Sequence, residues 1–289
     1  MAIKFAFVIN PNAGVKKKFN VEGFIASNFP KNLLYDIIIW EEADDISPIV
    51  EKIKNNQYSY VIACGGDGTV NMVAAMVVNT KMALGILPLG SGNGLARSNN
   101  IPMNLLKALN VIANAKTEII DSGTLNGHPF FCTAGIGFDA LIAHKFAEST
   151  ERGFFTYFKT SVMEFINYKP ESYSITVDGK KIKTTAFLIT IANAGQWGND
   201  VHIAPAAKLN DGLFHLSILK PFPFYTFISF AIKLFSKRIN TFTHFESHIG
   251  KKIEIEFNKY LPAHYDGEPL LIKDKATIEM FPLSLNMIC

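Results

Sequence analysis

Five residues, Gly65-Gly66-Asp67-Gly68-Thr69, follow the apolar run Tyr60-Val61-Ile62-Ala63-Cys64 and precede the helix-like Val70-Asn71-Met72-Val73-Ala74-Ala75. A strand that turns through glycines into a helix brings unpaired backbone N–H groups and the positive end of a helix dipole to one point, which suits a phosphate. Glycine also lets a phosphate approach the backbone without meeting a Cβ. Asp67 would repel bound phosphates unless a divalent cation, or water held by one, stood between them. Nucleotide binding at this turn therefore implies ATP with Mg2+. Taken alone, the same five residues also read as an ordinary strand-to-helix turn with Asp67 as the helix N-cap.

Two further turns add weight to the nucleotide reading. Residues 83–87 read as a strand entering Pro88-Leu89-Gly90-Ser91-Gly92-Asn93-Gly94, and residues 4–9 run into Asn10-Pro11-Asn12-Ala13-Gly14. Three strand-end glycine turns on one α/β stretch all open at the carboxyl edge of a parallel sheet, where such sheets bind ligands. The expected nucleotide-binding set is Asn10, Pro11, Gly14, Gly65, Gly66, Asp67, Gly68, Thr69, Pro88, Gly90, Ser91, Gly92 and Asn93, with Asp67 also beside the metal.

The elements that must carry these turns change character near residue 122. Before it, strand-like runs at 35–40, 60–64, 83–87 and 117–120 alternate with helical patterns around 45–54, 70–78 and 105–113, which predicts a parallel sheet with helices on both faces. After it, Asn126-Gly127 and Asp178-Gly179 separate short runs, as in antiparallel hairpins. Residues 252–257 alternate strictly and 276–281 form another strand, with helical excursions around 140–168 and 222–237.

The series Asn10-Pro11 with Gly14, Gly65-Gly66-Asp67-Gly68-Thr69, and Leu87-Pro88 with Gly90-Ser91-Gly92-Asn93 resembles the catalytic domain of the diacylglycerol kinase and sphingosine kinase superfamily of lipid kinases. The likeness continues through Asp121-Ser122-Gly123, Gly137-Phe138-Asp139-Ala140, Asn193-Ala194-Gly195-Gln196, Lys208-Leu209-Asn210-Asp211-Gly212 and Asp266-Gly267-Glu268, and so covers nearly the whole chain. It implies a three-layer, Rossmann-like α/β domain of phosphofructokinase and NAD kinase type over residues 1–122. A β-sandwich lipid-substrate domain would follow over 123–274, with a tail of about 275–289 returning to the first domain. The implied reaction is transfer of the ATP γ-phosphate to a hydroxyl of a membrane lipid. A non-catalytic lipid- or nucleotide-binding protein on the same scaffold is the alternative.

Phosphoryl transfer needs a group to accept the proton of the attacking hydroxyl. Asp266, in His264-Tyr265-Asp266-Gly267-Glu268-Pro269, is the best candidate, although Asp-Gly is also the commonest hairpin signal and spacing alone reads it as a turn. The resemblance reverses that reading: it implies Asp266 as the base and Glu268 as its supporting acid. It further implies that Asp121 organises Mg2+ through water, that Asp139 faces the cleft and reads the lipid head, and that Asp211 with the carbonyls of Lys208 and Leu213 holds a structural Mg2+. One departure stands out: many diacylglycerol kinase-like members carry an acid where this chain has Gly94, which moves weight toward a sphingoid base.

Composition is that of an ordinary globular protein, 48% hydrophobic and 18% charged. A net charge of +3 is too small to argue for nucleic acid, but permits attraction to anionic lipid surfaces. Three cysteines without a CxxC pair fit a reducing cytosol, and no signal peptide is read at the N-terminus. The longest apolar stretch, 222–232, falls short of the ~20 residues a spanning helix needs. With 24 Phe in the chain it reads first as core and second as an interfacial helix with basic ends. The expected partners are a membrane lipid substrate and peripheral contact with the inner face of the membrane from the cytoplasm. A homodimer is left open, and His202, His244, His248 and His264 read as structural.

Overall fold

The structure, a computed structural model, describes residues 3–11, 19–40, 46–148, 163–165 and 167–289. Gly14 and much of the excursion expected around 140–168 lie outside the described residues. The chain divides into two units, residues 1–120 with 283–289, and residues 121–282.

The first unit runs β1 (Lys4–Ile9), α1 (Val21–Asn28), β2 (Leu34–Ile39), α2 (Ser47–Asn55), β3 (Tyr60–Gly65), α3 (Asp67–Val77), β4 (Ala83–Pro88), α4 (Gly94–Ser98) and α5 (Leu105–Asn114). Its strands pair in the order β2-β1-β3-β4, all parallel, and residues 286 and 287 add a further parallel strand beside Ala83 and Leu84. β3 and β4 are almost continuously apolar and buried, as strands covered on both faces must be. The order reverses direction between β1 and β3, and a doubly wound sheet opens its ligand crevice at that switch point, outside the strand ends. Asn20 caps α1 by accepting from the Gly23 N–H, and Asn104 caps α5 by accepting from Lys107. Ala108, Leu109 and Ile112 form the buried stripe of α5.

The second unit takes up β5 (Thr117–Leu125) at Asp121 and continues through β6 (His128–Phe130), β7 (Thr133–Gly137), α6 (Phe138–Glu148), β8 (Glu171–Val177), β9 (Lys180–Ala186), β10 (Leu188–Ala192) and β11 (Phe214–Leu219). A single turn at Phe224–Thr226 leads into α7 (Phe227–Phe235), followed by β12 (Phe245–Gly250), β13 (Lys252–Tyr265) and β14 (Glu268–Ile288). Asn126-Gly127, Asp178-Gly179 and Asp266-Gly267 all have positive φ at both residues, the geometry that turns antiparallel strands tightly. The pairing order is β12-β11-β10-β7-β13-β14, with β8 on β13 and β9 on β8.

β13 is the organising strand. Its first half pairs with β8 and its last three residues with β7, while a register shift between Glu256 and Tyr260 interrupts its ladder with β14. A bulge that bends a strand and passes it to a new neighbour is how β layers turn corners. The apolar residues enclosed include Ile136, Ile175, Ile191, Phe214, Leu216, Ile255, Ala263 and Ile278. A second cluster, with Phe138, Ile142, Phe187, Leu219, Phe222, Phe230, Leu234 and Phe242, seats α6 and α7. Phe222 and Phe230 are thus core residues, as the first reading of 222–232 expects, while other side chains of α7 remain exposed.

Candidate active site

In the first unit, side chains knit the end of β1 and the glycine turns after β3 and β4 together. The Asn10 amide at the end of β1 donates to the Thr69 hydroxyl at 3.4 Å, and the Asn10 N–H donates to the Cys64 carbonyl at 3.4 Å. Thr69 is buried and packs where a Cβ on Gly65 would have to go. β3 and β4 remain joined beyond the sheet, because the Leu89 N–H donates to the Gly65 carbonyl at 2.9 Å.

Asp67 does not cap its own helix. Its Oδ2 accepts the Asn93 N–H at 2.9 Å and its Oδ1 accepts the Gly94 N–H at 2.7 Å, so the carboxylate caps α4 across the second and third turns. Asn93 sits in the left-handed region at φ 52°, which Asn tolerates better than most residues. Its side chain spans the loop, accepting from the Gly90 N–H at 3.0 Å and donating to the Gly90 carbonyl at 2.8 Å. The Arg97 guanidinium donates to the Gly92 carbonyl at 3.0 Å.

The glycines at these turns make room for one another. A Cβ on Gly90 would lie 2.6 Å from the Gly66 Cα and 2.8 Å from the Asn93 Oδ1, and one on Gly92 would lie 2.6 Å from the Asp67 Oδ2. A Cβ on Gly66 meets only the Gly90 Cα, at 3.3 Å. Gly90 and Gly92 therefore answer to turn-on-turn packing, whereas Gly66 has space that a ligand can use. Pro88 closes β4, Ser91 and Gly68 are half-buried, and Pro11 is exposed.

In the second unit, Asp266 lies in the hairpin between β13 and β14 with φ 49°. Its Oδ1 accepts the N–H groups of Cys132 and Thr133 at 2.8 and 2.9 Å, and its Oδ2 accepts that of Phe131 at 2.8 Å. A carboxylate offers roughly four lone-pair directions, so these three donors fix its orientation. Glu268 stands opposite Tyr265 at the start of β14. Burial raises the Tyr265 phenol above its usual range, and the charges of Glu268 and Asp266 push the same way.

Asn193 braces this corner, donating to the carbonyls of Asp121 at 3.0 Å and Phe131 at 2.8 Å. Asp121 is fully buried and its Oδ2 accepts the Gly212 N–H at 2.7 Å, so it fixes the loop that carries Lys208, Asp211 and Leu213. Asp211 is exposed, and its carboxylate accepts the Leu213 N–H at 3.1 Å within the loop. Among the described residues, no three His, Cys, Asp or Glu side chains gather into a metal-binding group.

Asp139, in the first turn of α6, is buried. Its Oδ1 accepts the Ala140 N–H at 2.9 Å, while its Oδ2 accepts the Thr190 hydroxyl at 2.8 Å and lies 3.3 Å from the His264 Nε2. The His264 Nδ1 receives the Gly267 N–H at 3.4 Å, which assigns its proton to Nε2 and makes it a donor to Asp139. The sequence does not disclose that His264 and Thr190 are the partners of Asp139. They meet Asp139 over Gly135, which is in register with both, and a Cβ on Gly135 would collide with the Asp139 carboxylate and the His264 ring. Among the described residues, Asp139 is also the only ionisable one lining an otherwise largely apolar cavity of about 110 Å3, walled by Phe138, Phe187, Trp197, Phe227 and Phe230 among others. Among the described residues, the Trp197 indole N–H, in that wall, is buried without an acceptor.

Comparison with known proteins bears on both units. Residues 4–125 match the diacylglycerol kinase catalytic domain, and residues 132–289 match the YegS C-terminal NAD kinase beta sandwich-like domain. A Klebsiella pneumoniae protein named "Probable lipid kinase YegS-like" is 32% identical over 256 residues, 86% of this chain and 84% of its own. A Bacillus subtilis protein named diacylglycerol kinase is 28% identical over 236 residues, 78% of this chain and 76% of its own. Among solved structures, a diacylglycerol kinase from Bacillus anthracis superposes with a TM-score of 0.72 at 20% identity, over 99% of this chain and 96% of that one. An NAD kinase from Archaeoglobus fulgidus in complex with ATP follows with a TM-score of 0.56 at 12% identity, covering 99% and 94%.

Proposed function

The chain belongs to the family of YegS-like lipid kinases and diacylglycerol kinases, and from that premise we propose that it transfers the γ-phosphate of ATP to a hydroxyl of a membrane lipid, diacylglycerol or a sphingoid base. The observation that carries the nucleotide half is the set of turns at the switch point of the parallel sheet, braced by Asn10, Asp67 and Asn93 and open at Gly66. Backbone N–H groups at the start of a helix and glycine surfaces suit a polyphosphate. The structural neighbour in complex with ATP supports the same nucleotide.

The donor set fits Mg2+ arriving with the nucleotide rather than in a cage of its own. Such a metal is held by one or two carboxylates, water and phosphate oxygens, which here means Asp67. When bound it would offset the charge of the phosphates during transfer. Asp67 itself keeps the second and third turns in register.

Asp266 is our candidate proton acceptor. An aspartate, whose ordinary pKa is ~3.9, cannot ionise an alcohol in advance, but it can take the proton late, as the new oxygen–phosphorus bond forms. The three N–H donors hold its carboxylate in one orientation, as a positioned acceptor requires, and Glu268 follows in the same hairpin. Asp121 and the loop of Lys208, Asp211 and Leu213 act through shape in this reading, with Asp211 available to a cation from solvent.

The apolar cavity supports a lipid acceptor. At about 110 Å3 it is smaller than the ~300–1,000 Å3 of most ligand pockets, so it suits the end of a chain rather than a whole lipid. Internal pairing of Asp139 with Thr190 and His264 favours an uncharged lipid over one bearing an ammonium. The test is incubation with γ-labelled ATP and Mg2+ against diacylglycerol, sphingosine and ceramide in mixed micelles, read by chromatography. A labelled diacylglycerol spot is expected, and no labelled lipid in any lane would sink the proposal.

A further inference from the structure

The exposed face of α7 carries a different kind of information. Tyr225 is 83% exposed, Ile228 72% and Ile232 62%, with Phe224 and Phe235 about half exposed, while Phe230 and Leu234 on the opposite side are buried in the core. Positions 225, 228, 232 and 235 follow helical spacing, so these side chains form one continuous stripe. Contiguous apolar surface of this kind marks a contact with a membrane or another protein.

Charge narrows the occupant to an anionic surface. From residue 212 to residue 245 the chain has no Asp or Glu, yet it carries Lys220, Lys233, Lys237 and Arg238. Lys220 is paired with Glu246 at 2.7 Å, and Lys233 is turned onto the carbonyl and hydroxyl of Thr241. Lys237 and Arg238, just past the end of α7, are exposed and in no ion pair among the described residues. An apolar stripe with exposed cations at its end and no acid in its own stretch of chain complements a surface that is apolar inside and anionic outside.

We infer that α7 docks the protein on an anionic phospholipid bilayer, lying in the plane of the interface with Tyr225, Ile228 and Ile232 inserted and Lys237 and Arg238 on the headgroups. At nine residues the helix is about 13 Å long and cannot cross the bilayer. The choice of a bilayer over a protein partner rests on the lipid-kinase reading; the stripe and its charges do not. Phe227, Ala231 and Phe235 also line the cavity beside Asp139, so the inserted face continues into the apolar interior of this unit.

The experiment is co-sedimentation of the full chain with vesicles of phosphatidylglycerol and phosphatidylcholine, or of phosphatidylcholine alone. Strong binding is expected to the anionic vesicles and weak binding to the neutral ones. Ile228→Ser with Ile232→Ser should abolish both. Lys237→Gln with Arg238→Gln should weaken only the anionic binding, by roughly ten- to thirtyfold. All four positions are exposed, so circular dichroism should be unchanged. Phosphorylation of a short-chain lipid in detergent should also be unchanged, which separates docking from catalysis. Wild-type vesicle binding by the serine variant overturns the inference. So does a concentration-dependent dimer that the serine variant loses in the absence of any vesicle binding, because the stripe would then face a second copy. Loss of lipid phosphorylation with docking intact would instead count against the kinase reading.

Discussion

Asp67 and Asn93 lie on different turns of the first unit, yet the Asp67 Oδ2 accepts the Asn93 N–H at 2.9 Å while the Oδ1 takes the neighbouring Gly94 N–H at 2.7 Å. Asn93 then holds Gly90 from both sides, so one carboxylate sets the shape of the whole third turn. Gly94 enters only through its backbone. The absence of an acid at that position therefore leaves this bond untouched.

Removing the Asp67 carboxylate should loosen both turns. For Asp67→Ala we expect about 1–3 kcal/mol lower stability, from two N–H groups left without acceptors, together with loss of ATP affinity. Chemical denaturation and calorimetry report the two effects separately. Unchanged stability would remove the bridging role.

Gly66 and Gly90 face each other but should respond differently to alanine. Gly90→Ala drives a Cβ to 2.6 Å from backbone and should cost about 1–3 kcal/mol. Gly66→Ala meets one backbone atom at 3.3 Å and should stay folded while binding ATP more weakly. Equal melting temperatures for the two variants would contradict this division.

Asp266→Asn turns one acceptor oxygen into a donor that must confront a backbone N–H of Phe131, Cys132 or Thr133. The variant should be less stable by about 1–3 kcal/mol. If Asp266 is also the proton acceptor, turnover at a temperature where the variant is folded should fall by ~10²–10⁴ with the KM for ATP nearly constant. A stability loss without a turnover loss assigns Asp266 to the turn alone.

Asp139→Asn tests the lipid head. Three internal donors already occupy this carboxylate, so we expect a lower melting temperature and similar changes in KM for diacylglycerol and sphingosine. A rise confined to sphingosine, by one to two decades for a charge-assisted bond of ~1.5–3 kcal/mol, would show an ammonium reaching Asp139.

His202 and His215 give a pH signature. Burial holds both below the usual histidine range, with Lys237 adding to the effect at His202 and Asp211 partly opposing it at His215. A histidine with a depressed folded pKa binds its proton more readily once unfolded. Its contribution is therefore complete above about pH 6.5 and is lost as the pH falls through the folded value. Denaturant midpoints should decline below about pH 6.5, and His215→Gln should flatten the decline. An identical slope in the variant would exclude His215 as a source.

The sequence discloses what local rules control. Three Asp-Gly or Asn-Gly hairpins, the alternating strands and helices of the first unit, and the glycine turns follow from neighbours along the chain. Long-range pairing is not so encoded. The strand expected over 252–257 extends to Tyr265, because the bulge between Glu256 and Tyr260 breaks the alternation that marks a strand. Asp67 reads locally as the cap of its own helix, whereas its carboxylate accepts from Asn93 and Gly94 on another turn, a pairing that neighbours along the chain do not encode. His264 reads as structural because its partner Asp139 is 125 residues away in sequence, reached through the register of β7 with β13.

Residues 284–289 belong to the first unit, where Ser284 receives the Asn79 N–H, Asn286 holds the Thr80 carbonyl, residues 286 and 287 pair with β4, and Cys289 donates to Lys116. Leu285, Met287 and Ile288 are buried there. On a ribosome, the parallel sheet of the first unit has to wait with one side of β4 open while the entire second unit is translated. That edge can be covered only after residues 121–282 have been made, so the first unit closes with residues that are synthesised after the second.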